Sequence, residues 1–204
     1  MSQPNPDLHG SAPDKAAAAL LLVDVINPFD FPEADDLLRF ALPVAEQLAG
    51  LKARAKTAGL PVIYGNDNFG RWRSDHQAVL AECLKPDRRG REFVERLRPA
   101  DDDYFVLKPK HSAFFSTTLD TLLRYLGTKT LLIGGIAGNI CVLFTANDAY
   151  LRDLKLIVPA DGTASNTAEE NATAVEQMRR VLKADVRPAA EWSAARLTRL
   201  AAGH

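Results

Sequence analysis

Cys141 stands at the end of the stretch Thr130-Leu-Leu-Ile-Gly-Gly-Ile-Ala-Gly-Asn-Ile-Cys141, where an apolar run gives way to glycines and then to a helical pattern. Residues 130–133 are apolar or β-branched with no polar alternation, the pattern of a strand covered on both faces. Gly134, Gly135 and Gly138 allow a sharp turn. Asn139 reads as a helix N-cap, and Val142, Thr145, Ala146 and Ala149 follow at helical spacing. A thiol in a first helical turn lies near unpaired N–H groups and the positive end of the helix dipole, and both favour thiolate. Such a cysteine can be a nucleophile. Cysteine is also among the residues most often buried as packing, so position alone leaves both readings open.

Two other residues fall at the ends of apolar runs. Ala16 to Val25 reads as a first buried strand with Asp24 near its carboxyl end, and Tyr104 to Pro109 reads as a third with Lys108 at its end. Open α/β sheets place their ligand crevice at that edge. Asp24 could instead cap the following loop. Lysine is almost never buried without a partner, and pairing Lys108 with Asp24 accounts for both. The chemistry that Asp24, Lys108 and Cys141 allow together is nucleophilic: a carboxylate takes the thiol proton, an ammonium favours negative charge, and the thiolate attacks a carbonyl carbon. Backbone N–H groups of the turn before Cys141 are the available donors for the resulting oxyanion.

The remaining pattern supplies a frame to hold these residues. Helical spacing runs from Leu37 to Ala58 with Pro43 inside it and Gly59 at its end, then a second short strand covers residues 61–64. Helical pieces at residues 74–83 and 90–97 precede the third strand. A helix over 119–126, a fifth strand over 155–161, a helix over 166–182, a sixth strand over 184–187 and a terminal helix over 190–201 complete the order. Strand alternating with helix predicts a three-layer α/β/α sandwich around a doubly wound, mostly parallel sheet of about six strands. The polar, Pro-rich residues 1–15 read as a loose tail and 16–204 as one domain.

The chain has 204 residues and a formal net charge of -1, with both signs mixed along it, which points to no nucleic-acid or membrane partner. Two cysteines are too few for a disulfide framework, so a reducing, cytoplasmic setting is expected. Cys83 lies in a helical pattern and reads as packing.

The stretches LLLVDVINPF, YFVLKPKHSAFFST and LLIGGIAGNICVLFTANDAYLRD followed by VPADGTAS resemble, in order and spacing, the isochorismatase-like cysteine hydrolases, a group that includes nicotinamidases and N-carbamoylsarcosine amidohydrolase. The resemblance spans Ala17 to Ser165. It implies the same doubly wound sheet, with Cys141 as the nucleophile of a thioester-type intermediate, Asp24 as general base and acid, and Lys108 orienting and charging the pair. It also implies a cis peptide at Ile136–Ala137, aiming the N–H groups of Ala137 and Cys141 at the substrate oxyanion. Many relatives carry Thr where this chain has Ala137, so any hydroxyl role is lost here while a backbone donor survives. Relatives are commonly dimers or tetramers, which implies self-association.

One departure concerns metal. Nicotinamidases of this group hold a metal with Asp-x-His and a further His after the second strand, whereas the corresponding loop here reads Gly65-Asn-Asp-Asn-Phe-Gly-Arg-Trp with no His before His76. No metal and no cofactor are therefore expected. Retention of Cys141 points to an amide, ureide or similar acyl bond of a small molecule. An enol-ether hydrolase of the isochorismatase type, or a non-catalytic binding protein on the same scaffold, are the alternatives. A dinucleotide-binding domain fits poorly, because the turn is not G-x-G-x-x-G. Candidate pocket residues are Asn27, Phe29, Phe69, Trp72, His111 and Phe114. Phe114 and Phe144 also fit the core, Phe69 and Trp72 fit a lid over residues 65–73, and Arg71 or Arg73 could meet an anionic substrate.

Overall fold

The computed structural model describes residues 14–70, 72–73 and 75–204, so the expected tail and Arg71 lie largely or wholly outside the described residues. The first strand, β1 (Ala18–Val23), is buried along its whole length. Its even-numbered side chains Ala18, Leu20 and Leu22 enter one hydrophobic cluster and Ala19, Leu21 and Val23 enter another. Strand alternation thus feeds two cores, one on each face, which explains the unbroken apolar run.

Helix α1 (Ala34–Thr57) follows, with Leu37, Ala41, Val44, Ala45, Leu48, Leu51 and Ala55 forming its buried stripe. It runs through Pro43, whose missing N–H costs one intrahelical bond. Then come β2 (Val62–Asp67), α2 (His76–Cys83), α3 (Arg91–Arg96), β3 (Tyr104–Lys108) and α4 (Leu119–Leu126). Strand β4 (Thr130–Ile136) leads through a π-helical turn (Gly138–Val142) into α5 (Leu143–Tyr150). The order ends with β5 (Lys155–Ile157), β6 (Thr163–Ala164), α6 (Ala168–Arg180) and α7 (Ala194–Ala201). No described helix is long and apolar enough to cross a membrane.

The sheet runs β3-β2-β1-β4-β5 with every pairing parallel, and β6 joins the carboxyl end of β4. Sequence order reverses direction between β1 and β4, so the crevice of a doubly wound sheet opens at their carboxyl ends. Gly135 makes that junction close. A Cβ there would lie 2.0 Å from Val23 O, and its φ of 131° suits glycine alone.

Three expectations are corrected. The sixth strand is not residues 184–187, which form only an isolated bridge from Asp185 to Ile157; Pro188 ends any pairing there. It is the two-residue β6 instead, too short to leave a periodic signal. Asn139 is not a helix N-cap, because it lies inside the π turn, where both Ile140 and Val142 donate to Ala137 O at 3.1 Å. Residues 65–67 belong to β2, so the loop proposed as a lid begins later.

Candidate active site

Each strand of the central group delivers a polar residue to the same edge. β1 ends at Val23, and Asp24 follows with φ 51°, a left-handed conformation that Asp tolerates better than most residues. Its N–H still donates to Gly65 O at 3.0 Å, so sheet pairing continues to the site. β3 ends at Lys108, in register with Asp67, the last residue of β2. The turn after β4 supplies Cys141, beyond an Ile136–Ala137 peptide that is cis.

These residues meet. Lys108 Nζ lies 2.8 Å from Asp24 Oδ2, 3.5 Å from Asp67 Oδ2 and 3.5 Å from Cys141 Sγ, with none of its side chain exposed. It also donates to Lys110 O at 3.2 Å. Asp24 Oδ1 accepts from the Asp67 N–H at 2.7 Å, and the Asp24 carboxylate is close enough for its charge to act on the Cys141 thiol. The Cys141 sulfur therefore lies against the ammonium of a buried ion pair.

Burial dominates the electrostatics here. It pushes the Asp24 carboxyl above its ordinary value, and the Lys108 ammonium only partly opposes this. Burial alone would lower Lys108, but Asp24, Cys141 and Asp67 together lift the ammonium above its ordinary value. Burial and then the charge of Asp24 push the Cys141 thiol up, outweighing Lys108. The expectation of a thiolate favoured at rest is thus corrected: the dipole of a first helical turn cannot offset a desolvated sulfur beside a carboxylate. Burial and Asp24 hold the proton on the Cys141 sulfur, and Asp24 is more basic than a free aspartate.

Surrounding contacts hold the geometry. Asn66 exchanges two bonds with the backbone of Ile26, both 2.9 Å, tying β2 to the loop after Asp24. Ala113 N–H donates to Thr145 Oγ1 at 3.0 Å, tying the loop after Lys108 to α5. Asn139 N–H donates to Ser165 Oγ at 3.1 Å, and Ser165 Oγ in turn donates to Asn171 Oδ1 at 3.2 Å. Sequence reasoning missed Asp67, Ser165 and Asn171. Asp67 carried a usable signal, since it ends a strand as Asp24 and Lys108 nearly do, but Gly65 and the run Asn66-Asp67-Asn68 read as loop.

A family model for the isochorismatase domain matches residues 18–191. The chain belongs to the isochorismatase family. A protein described as an uncharacterized isochorismatase family protein, YaaI of Bacillus subtilis (strain 168), is 43% identical over 172 residues, covering 84% of this chain and 94% of that one. The ureidoacrylate amidohydrolase RutB of Methylorubrum extorquens is 31% identical over 176 residues, covering 74% of this chain and 71% of its own. Among solved structures, the N-carbamoylsarcosine amidase from Thermoplasma acidophilum is similar at a TM-score of 0.66 and 29% identity, covering 84% of this chain and 96% of that one. The last two are by name hydrolases of C–N bonds outside peptides.

Isochorismatase-family members that use metal need a donor set which this chain does not present. Asp67 stands after the second strand, but its carboxylate is engaged by Lys108 at 3.5 Å and by the Phe69 N–H at 2.6 Å, and Phe69 occupies the place of the motif's His. Among the described residues no three His, Cys, Asp or Glu side chains gather as ligands. The described residues around the site do not fit a metal.

The pocket candidates divide. Phe29 is fully buried, edge-on to Phe93 with centroids 5.4 Å apart, and is core rather than pocket: the loop turns its ring inward as Asn27 Oδ1 accepts the Phe29 N–H at 2.8 Å. Asn27 is therefore a turn-former. Phe114 is also core, packed beneath the Arg152 guanidinium. Phe144 is the opposite case, 52% exposed and tilted against His111 with centroids 5.4 Å apart. His111 Nδ1 lies 3.8 Å from Cys141 Sγ. Phe69 is partly exposed, whereas Trp72 is 78% exposed and Arg73 exposed, on a loop that does not cover the sulfur with any described contact.

Proposed function

We propose that this protein is a metal-independent cysteine hydrolase that cleaves an amide, ureide or similar acyl bond of a small molecule. The observation that carries the reading is the contact of Cys141 Sγ with a buried Asp24–Lys108 pair at the switch point of the sheet. Asp24 accepts the thiol proton as sulfur bonds to the substrate's carbonyl carbon, so free thiolate never accumulates. Lys108 keeps Asp24 oriented and offsets the charge that develops. Backbone N–H groups of Ala137 and Cys141 receive the oxyanion. Asp24 then gives its proton to the leaving nitrogen, the C–N bond breaks, and a thioester remains on Cys141 until water releases the acid.

The amidohydrolase relatives support the substrate class, since ureidoacrylate and N-carbamoylsarcosine both present a carbamoyl group in the names of enzymes similar to this one. The test is a panel of small amides, carbamoyl compounds and ureides assayed with wild type and Cys141→Ala, with and without chelator. Turnover of at least one compound, lost on the order of 10³-fold or more in the variant and indifferent to chelation, supports the reading. Hydrolysis that survives the substitution, or that returns only with added zinc or iron, ends it.

A further inference from the structure

Besides Lys108, another titratable side chain lies against the Cys141 sulfur. His111 Nδ1 is 3.8 Å from Cys141 Sγ, and the chemistry above leaves the imidazole unused. Lys108 reaches the sulfur from the fully buried side, and His111 is exposed, so the two approach from protein and solvent respectively. The ring is braced by Phe144. Its backbone is pinned on either side: Lys110 O accepts from Lys108 Nζ, and Ala113 N–H donates to Thr145 Oγ1 on α5. His111 is thus fixed to the two elements that carry Lys108 and Cys141.

Hydrolysis of the thioester needs a group that can take a proton from incoming water and lie close enough to sulfur to return it. Asp24 is 5% exposed and already held by Lys108 and the Asp67 N–H. Lys108 is a buried donor. His111 is both exposed and within 3.8 Å of the sulfur, and an imidazole can accept a proton on one ring nitrogen while the other keeps its own.

We propose, resting on the cysteine-nucleophile reading, that His111 is the proton relay of thioester hydrolysis. Nδ1, with the ring proton on Nε2, takes a proton from water as the water oxygen bonds to the acyl carbon. As the C–S bond breaks and its electron pair goes to sulfur, Nδ1 delivers that proton to Sγ, and the carboxylic acid leaves. Acylation runs through Asp24 and deacylation through His111.

The experiment uses p-nitrophenyl acetate as the probe. Release of p-nitrophenolate measures acylation. Brief acetylation, removal of reagent and loss of the acetyl mass from Cys141, followed by intact-protein and peptide mass spectrometry, measures deacylation. His111→Ala and His111→Asn are compared with wild type; Asn offers an amide near the Nδ1 position but no base. In both variants acetyl-Cys141 is expected to persist about 10²-fold longer, with acylation altered by less than about threefold on the same reasoning. Hydroxylamine, a nucleophile that needs less help from a base, is expected to restore most of the lost deacylation. Deacylation at the wild-type rate, equal losses in both steps, or full recovery with Asn overturns the relay while leaving the nucleophile reading intact. Absence of any acetyl group on Cys141 in the His111 variants, where it should persist, overturns both.

Discussion

Lys108 Nζ lies 2.8 Å from Asp24 Oδ2 with no lysine side-chain surface exposed, so the pair is buried beside the Cys141 sulfur, 3.5 Å from Nζ. Removing one member of a buried ion pair leaves the other uncompensated, and here two carboxylates, Asp24 and Asp67, would face each other without a cation. Lys108→Met is expected to cost about 3–5 kcal/mol of stability and to abolish acylation. The double variant Lys108→Met/Asp24→Asn is expected to regain part of the stability and none of the activity. Urea unfolding and p-nitrophenolate release report the two quantities separately. Equal stability of the single and double variants would contradict a sealed pair.

The same pair places the pH responses of two reactions at one sulfur in different ranges. In the proposed mechanism acylation requires Asp24 unprotonated and Lys108 protonated. Because the Asp24 carboxyl is raised above 3.8, acylation is expected to fall on acidification at a higher pH than a free aspartic acid would give. Because Lys108 is raised above 10.5, no loss attributable to its deprotonation is expected below pH 10.5. Acylation should therefore rise once, through the Asp24 titration, and then stay level to pH 10. A second rise tracking thiolate formation would show that Asp24 does not take the proton.

Alkylation by iodoacetamide needs pre-formed thiolate, which makes it the complementary measurement. Burial and Asp24 both hold the thiol proton on Cys141, so labelling is expected to be slow at neutrality and still climbing at pH 9 or so. Asp24→Asn removes the negative neighbour and should speed labelling while acylation is lost; Lys108→Met should slow it. Cys83 is buried and is expected to stay unlabelled in the folded protein. Peptide mapping after timed labelling reads each site. A Cys141 that alkylates faster at pH 7 than a free thiol would contradict the electrostatics.

What the sequence made legible and what it hid follow from the range of the forces involved. Buried strands such as β1 and β4 write themselves as unbroken apolar runs, and α4 is bounded at Gly127, so the doubly wound sheet and the strand ends that carry Asp24, Lys108 and Cys141 were readable. Asp67 was hidden because strand β2 continues through Gly65-Asn66-Asp67, residues whose propensity is for turns; pairing with β1 and β3 overrides that propensity. The thiol's raised affinity for its proton was hidden for another reason. Helix position is local and visible in sequence, whereas desolvation by residues distant along the chain is not. Phe29 and Phe144 exchanged their expected places through loop direction, which no periodicity encodes.

Gly135 is where the fold and the site meet most tightly, and two glycine substitutions test this. A Cβ at Gly135 would lie 2.0 Å from Val23 O and 2.8 Å from Val23 N, in the strand that ends at Asp24. Gly59 shares a positive φ, 76°, but a Cβ there meets nothing within 4 Å. Gly59→Ala thus carries backbone strain alone, about 1–2 kcal/mol. Gly135→Ala adds a clash with backbone that can be relieved only by separating β1 from β4 and carrying Asp24 away from Cys141. It is expected to destabilise by more than about 4 kcal/mol, beyond the range of ordinary substitutions, and any folded fraction should acylate poorly even at saturating probe. Gly59→Ala should acylate as wild type does. Unfolding midpoints within a few tenths of a molar urea of each other would mean that the junction has slack, and that the closeness of β1 and β4 does not set the position of Asp24.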